Sequence, residues 1–257
     1  MLQKFFNIIE KSFVLVRRNI KLILSIAALD VFFIYLYSFI SSYFKENIFS
    51  SIAKVTPDLV QKAKSGISLI NYFWQSNVRS EIIINGLLLI ISVYLLYALF
   101  QGTTWALAHK ITGKKVGFGK YLTYFAKVNT LWLVLFLTFL LVDLYLTIDA
   151  KLSGRTGLQT SIIPAYANIA FFFAILYFAL NSYVTPSLKK SFLVGWKRKQ
   201  ELIPRFLFIL VIYLVIDFII NNLWKLNQTF ALVIGFILVF LALAWMRIFI
   251  ILSLETN

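Results

Sequence analysis

Three aspartates carry the sharpest chemistry in this chain, because each interrupts an apolar run: Asp30, Asp143 and Asp217. An ionised carboxylate near the middle of a bilayer costs about 2.5–3.5 kcal/mol on insertion scales, so its retention asks for an internal role. A phenylalanine precedes each acid by 25 residues: Phe5, Phe118 and Phe192. The matching positions predict that the acids face the interior of a helix bundle, protonated, hydrogen-bonded or lining a wet cavity. Two roles fit. The acids could form a proton or cation site, or a polar path for a headgroup. Alternatively they are struts, bonded to Asn85, Asn168, Gln101 or Asn181, with each interhelical bond worth about 0.6–2 kcal/mol. Asp143 lies six residues before Asp149, close enough to reach the membrane interface. Arg247 also sits within an apolar run. It could pair with an acid, but near a run's end its long side chain is expected to snorkel to the headgroups. His109 is the single histidine and closes a run, which reads as a headgroup contact and makes a poor metal site.

Other reaction chemistry lacks its parts. There is no cysteine, hence no disulfide, thiol nucleophile or cysteine metal site. The one Gly-x-Ser, Gly66-Ile67-Ser68, is far in sequence from the histidine. No His-Glu-x-x-His cluster occurs, and Gly113 to Gly119 matches no phosphate-binding loop. The sequence therefore points to a non-enzymatic protein without cofactor or metal.

The elements that hold these residues follow from composition. Of 257 residues 61% are hydrophobic and only 14% charged, and mean hydropathy is +0.86. A soluble domain carries about 25% charged residues, so this chain cannot cover itself with polar surface and needs lipid as solvent. The net charge of +15 would suggest nucleic acid in a soluble protein. In a membrane protein it marks cytoplasmic loops and contact with anionic headgroups, so the partner expected is the bilayer and not nucleic acid. No partner protein or oligomeric state is indicated. At the N-terminus no short apolar stretch precedes a small-residue cleavage site, so no removable signal peptide is expected.

Apolar runs of about 20 residues cross a ~30 Å hydrocarbon core. They predict an all-α polytopic membrane protein with six transmembrane helices, near 22–40, 82–108, 130–148, 164–184, 206–223 and 230–252. Amphipathic periodicity predicts interfacial helices over 2–13, 57–74, 118–128 and 188–203. Thr56-Pro57-Asp58 reads as a helix start, and Asn227-Gln228-Thr229 as a cap for the last span rather than a glycosylation site. Lys199 falls on the apolar side of 188–203 and makes that helix the least clean.

Basic residues set the orientation. Lys4, Lys11, Arg17, Arg18 and Lys21 precede the first run; Lys110, Lys114, Lys115, Lys120 and Lys127 separate the second from the third; Lys189, Lys190, Lys197, Arg198, Lys199 and Arg205 precede the fifth. The alternate segments hold five diluted over the long 41–81 stretch, two between the third and fourth runs and one in the last turn, which predicts both termini in the cytoplasm. Lys4, Lys11, Lys114, Lys115, Lys120, Lys189, Lys190, Lys197 and Arg198 are the candidate contacts to anionic lipid. The even runs echo one another as well, with Tyr97 four before Gln101-Gly102 and Tyr177 four before Asn181-Ser182. With the Phe-to-Asp spacing, this suggests three helix pairs.

The basic segment feeding each odd run, the Pro186-x-Leu188-x-x-Ser191 pattern and the Gly195-Trp196 pair resemble a loose group of six-helix membrane families. The group includes domains of unknown function and the membrane domain attached to some glycerophosphodiester phosphodiesterases. The resemblance implies a six-helix fold and a role in the cell envelope. No phosphodiesterase catalytic domain is present, so no activity is implied. Two functions remain: a protein that binds anionic lipid or organises the membrane, and a transporter of a small solute or lipid using the buried acids.

Overall fold

The computed structural model describes residues 2–64, 76, 78–152, 162–185 and 187–255, with side chains left undescribed at 2, 55–64, 143–152 and 162–168. Among the described residues all regular structure is α-helical: α1 Leu2–Arg18, α2 Ile20–Lys64, α3 Arg79–Ile111, α4 Phe118–Leu152, α5 Ile162–Val184, α6 Leu188–Lys197, α7 Lys199–Leu226 and α8 Gln228–Glu255. Five helices are long and apolar enough to cross a membrane, within α2, α3, α4, α7 and α8. The described side chains of α5 give a shorter apolar stretch, Ile169–Val184.

Three boundaries differ from those expected. The helix expected over 57–74 does not begin at Thr56-Pro57-Asp58, because α2 continues through them to Lys64; residues 65–74 lie outside the described residues. No glycine or proline interrupts 20–55, and Ser51 ties the helix to Glu81 of α3 at 2.9 Å. The expected break between 118–128 and 130–148 is absent, and α4 is continuous. Asn129 and Thr130 bond back to the carbonyls of Phe125 and Ala126, at 2.8 and 3.1 Å, and so continue the helix instead of ending it. The 188–203 segment breaks at Arg198 and not at Pro204. Pro204 falls in the second turn of α7, where its missing N–H removes a single bond.

The chain packs as two units, each described by itself: residues Leu29–Gln101, and Met1–Ala28 with Gly102–Asn257. In the smaller unit α2 and α3 run antiparallel. Gln101 meets Asp30, Phe33 meets Tyr97 edge-on at 5.9 Å, and Glu81 meets Ser51 and Lys54.

In the larger unit α7 and α8 form an antiparallel hairpin. Asn227 Oδ1 accepts from Phe230 N at 3.0 Å and caps α8, as the sequence suggests. Gly235 lets Ile220 approach so closely that a Cβ there would lie 3.0 Å from it. Lipid tails are as apolar as leucine, so helices associate in a membrane through close packing and polar ties, and small residues at crossings favour both. Helix α1 lies along α8, with Trp245 Nε1 donating to Ser12 Oγ at 2.9 Å and Phe13 stacked on Trp245. Phe6 and Phe13, on the apolar side of the 2–13 pattern, are exposed, whereas Ile8 and Ser12, outside that side, are buried against the bundle.

Buried side chains in this unit concentrate at one end. They come from the last turns of α3 (Trp105, Ala108, His109), the first turns of α4 (Tyr121, Phe125, Val128), the last turns of α5 (Asn181 to Val184) and residues 244–253 of α8. The far halves of α7 and α8 present exposed Leu214, Phe218, Phe230 and Phe236. The buried end is also the one that carries the lysines of α1, the α3–α4 loop and α6.

Candidate functional site

Of the two aspartates whose side chains are described, one is buried and one is exposed. Asp30 is buried and accepts from Gln101 Nε2 at 2.9 Å, one of the pairings a strut would use. Asp217 is exposed on α7, where Asn221 Nδ2 donates to it at 3.0 Å. The expectation that it faces inward is therefore corrected. The buried stripe of α7 runs through Leu202, Arg205, Ile209 and Ile216, and Asp217 stands about 100° around from Ile216, off that stripe. The side chain of Asp143 lies outside the described residues.

The basic end is held by two helix C-termini whose free carbonyls side chains satisfy. A helix leaves its last four carbonyls without intrahelical partners. At α5, Tyr121 donates to Tyr183 O at 2.7 Å, and Tyr124 shares its proton between Ser182 O at 3.0 Å and Thr185 O at 2.7 Å. His109 also reaches Tyr183 O, at 3.2 Å. A carbonyl only accepts, so Nε2 carries the proton and Nδ1 is the bare nitrogen, which meets no partner among the described residues. His109 is 1% exposed and cannot be a headgroup contact; it is a core cap. Tyr183 OH donates to Asn129 Oδ1 at 2.7 Å, and Trp132 Nε1 to Ser182 Oγ at 3.0 Å. The sequence gives no spacing signal for this network, because its members are single polar atoms on aromatic-rich helices.

At α8 the caps are cationic, as the helix dipole favours. Arg198 donates to Leu254 O at 3.0 Å and Arg205 to Ser253 O at 2.6 Å, while Glu201 accepts from Arg198 at 2.6 and 2.9 Å. Lys114 pairs with Glu255 at 2.6 Å. Arg198 and Lys114, expected to contact lipid, hold the end of α8. Arg247 is 2% exposed, enclosed among its neighbours, and does not snorkel. The other lysines expected at lipid, Lys4, Lys11, Lys115, Lys120, Lys189, Lys190 and Lys197, are exposed.

Asn181 is fully buried, and among the described residues neither amide atom meets a partner at hydrogen-bonding geometry. It packs on the backbone of α6 at Gly195, where a Cβ would lie 2.9 Å from Nδ2. Beside this crossing, Tyr177 donates to Gly195 O at 2.7 Å.

The same crossing borders a groove that the sequence did not reveal. It encloses about 690 Å³ between α5, α6 and α7, with Met246 of α8 contributing to the wall. Its lining is apolar apart from Lys199 and two tyrosines, whose hydroxyls engage Gly195 O and, at 3.9 Å, Met246 Sδ. At one end Lys199 Nζ stands 4.3 Å over the Trp196 ring. A shallower hollow of about 370 Å³ shares Phe178 and Trp196 with the groove and adds Lys189. The signal in the sequence was Lys199 itself, the basic residue on the wrong side of an amphipathic pattern.

No protein-family model, curated protein or solved structure matches this chain. Its functional reading therefore rests on the geometry above.

Proposed function

We propose that this is a six-span, non-enzymatic protein of the cell envelope whose basic end lies at the cytoplasmic surface and binds anionic headgroups. In this reading α5 supplies the sixth span, both termini are cytoplasmic, and α1, the start of α4 and α6 lie amphipathically at the interface. The observation that carries it is a division of labour among cations. Lys114, Arg198 and Arg205 are engaged in caps and ion pairs, whereas Lys11, Lys115, Lys120, Lys189, Lys190 and Lys197 at the same end are left exposed. Juxtamembrane basic residues contribute about 1 kcal/mol each toward an anionic surface.

The test is lipid selectivity in proteoliposomes, read from the immobilised fraction of spin-labelled phosphatidylglycerol against spin-labelled phosphatidylcholine. Replacing Lys115, Lys120, Lys190 and Lys197 by Gln should remove most of the preference for phosphatidylglycerol. Equal selectivity in the wild type and the variant would sink the proposal.

Transport through the aspartates has less support. Such a mechanism needs acids around a shared cavity, yet Asp217 is exposed, Asp30 is bonded to Gln101, and the groove is lined by neither. Asp217→Asn is accordingly expected to leave any ion flux in proteoliposomes unchanged, and a lost flux would revive the transport reading.

A further inference from the structure

The geometry points to one defined lipid site: we propose that the groove between α5, α6 and α7 seats a single anionic phospholipid, with an acyl chain along its apolar wall and the phosphate at Lys199 and Lys189. This rests on the headgroup-binding reading above and adds to it a site of fixed stoichiometry.

Depth is the first argument. On α7 the lining runs from Lys199 to Tyr213, an axial rise of about 21 Å at 1.5 Å per residue. One leaflet offers about 15 Å of hydrocarbon plus an interfacial zone of roughly 5–7 Å. The groove thus spans one leaflet and stops near its midplane. Helix α5 runs the opposite way and contributes Leu180 near the mouth and Phe173 at depth. A volume of about 690 Å³ is that of an ordinary ligand pocket, about 300–1,000 Å³. Met246 in the wall is the kind of unbranched side chain that adapts to an irregular occupant.

Charge is the second argument. Lys199 lies at the shallow end, held over Trp196 by a cation–π contact, which keeps its ammonium at headgroup level. Lys189 borders the adjoining hollow around the same tryptophan. The nearby acid, Glu201, is held by Arg198 at 2.6 Å and points its charge at the α8 cap. The mouth is left cationic while the wall is apolar, which favours a lipid of net negative charge over one whose phosphate is balanced by its own choline. A helix from a second copy would bring no negative charge to Lys199 by virtue of being apolar, so the lipid is the better fit.

The experiment is native mass spectrometry of the delipidated full chain in detergent, titrated with dioleoyl phosphatidylglycerol or dioleoyl phosphatidylcholine. The wild type should retain one phosphatidylglycerol and bind phosphatidylcholine more weakly. Lys199→Gln, at an exposed position, should weaken phosphatidylglycerol about fivefold, the effect of one basic residue near an anionic headgroup. Ala174→Trp, which fills the groove from α5, should abolish the 1:1 species while the helical circular dichroism stays unchanged. Equal retention of both lipids, a 1:1 species that survives Ala174→Trp, retention of detergent alone, or a dimer that Ala174→Trp dissolves would each overturn the proposal. The two readings also fail separately. Spin-label selectivity without a 1:1 species removes the groove and leaves the basic surface, whereas a 1:1 species without any effect of the four-lysine variant removes the surface and leaves the groove.

Discussion

Individual side chains at the basic end divide into those that hold carbonyls and those that face out, and substitution should separate the two classes. Arg198→Gln removes charged hydrogen bonds to Leu254 O and Glu201. Thermal unfolding in detergent should register a loss of about 1.5–3 kcal/mol, the range for bonds to charged groups. Lys197→Gln, one residue earlier and exposed, should leave the transition within about 0.5 kcal/mol. Equal effects would refute the division. Gln101→Leu takes a donor from buried Asp30 and should cost about 0.6–2 kcal/mol, whereas Asp30→Asn keeps an acceptor oxygen and should cost less. At this scale the sequence was informative about partners and poor about direction. Gln101 was a candidate strut for the acids and meets Asp30. The outward turn of Asp217 depends on which stripe of α7 meets its neighbours, and an apolar run with no polar face leaves that stripe unmarked.

Helix crossings make the next level, and the α5–α6 crossing has a testable geometry. A Cβ at Gly195 would stand 2.9 Å from Asn181 Nδ2 and 3.3 Å from Phe178. Because Asn181 is fully enclosed, it cannot swing aside, so Gly195→Ala should destabilise by about 1–3 kcal/mol, as overpacking does. Asn181→Ala removes the obstructing amide along with two buried polar atoms that make no hydrogen bond of good geometry among the described residues. The double variant should recover most of the loss, giving a coupling of more than about 0.5 kcal/mol in a double-mutant cycle of unfolding free energies. Additive effects would show that the amide is not the obstacle. The existence of most helices was legible, as was the Asn227 cap, but the close crossing at Gly195 was not. The boundaries at Thr56, Asn129 and Pro204 were not. Asparagine and threonine can end a helix or bond back into its own preceding turn, and only the neighbours decide which occurs.

For the larger unit as a whole, burial is concentrated where the charge is. The chain has no cysteine, so single introduced thiols can map this without background. In detergent a nitroxide attached at Phe236→Cys should collide freely with dissolved oxygen, since Phe236 is 51% exposed, and one attached at Ile250→Cys should collide rarely, since Ile250 is 1% exposed. Comparable rates would contradict the one-ended core. In intact cells an impermeant maleimide should reach Lys225→Cys and spare Lys120→Cys if the basic end is cytoplasmic; the reverse pattern would invert the proposed topology. Composition made the solvent legible, and lysine placement proposed a side. The packed end was invisible, because leucine and phenylalanine serve equally well against lipid and against another helix. The Ser12–Trp245 bond has a consequence in time. Its partners are 233 residues apart, and at about 5–20 residues per second of synthesis α1 emerges some tens of seconds before the helix it packs on. During that interval α1 needs a temporary host, and exposed Phe6 and Phe13 beside Lys4 and Lys11 suit it to wait on the bilayer surface until α8 arrives.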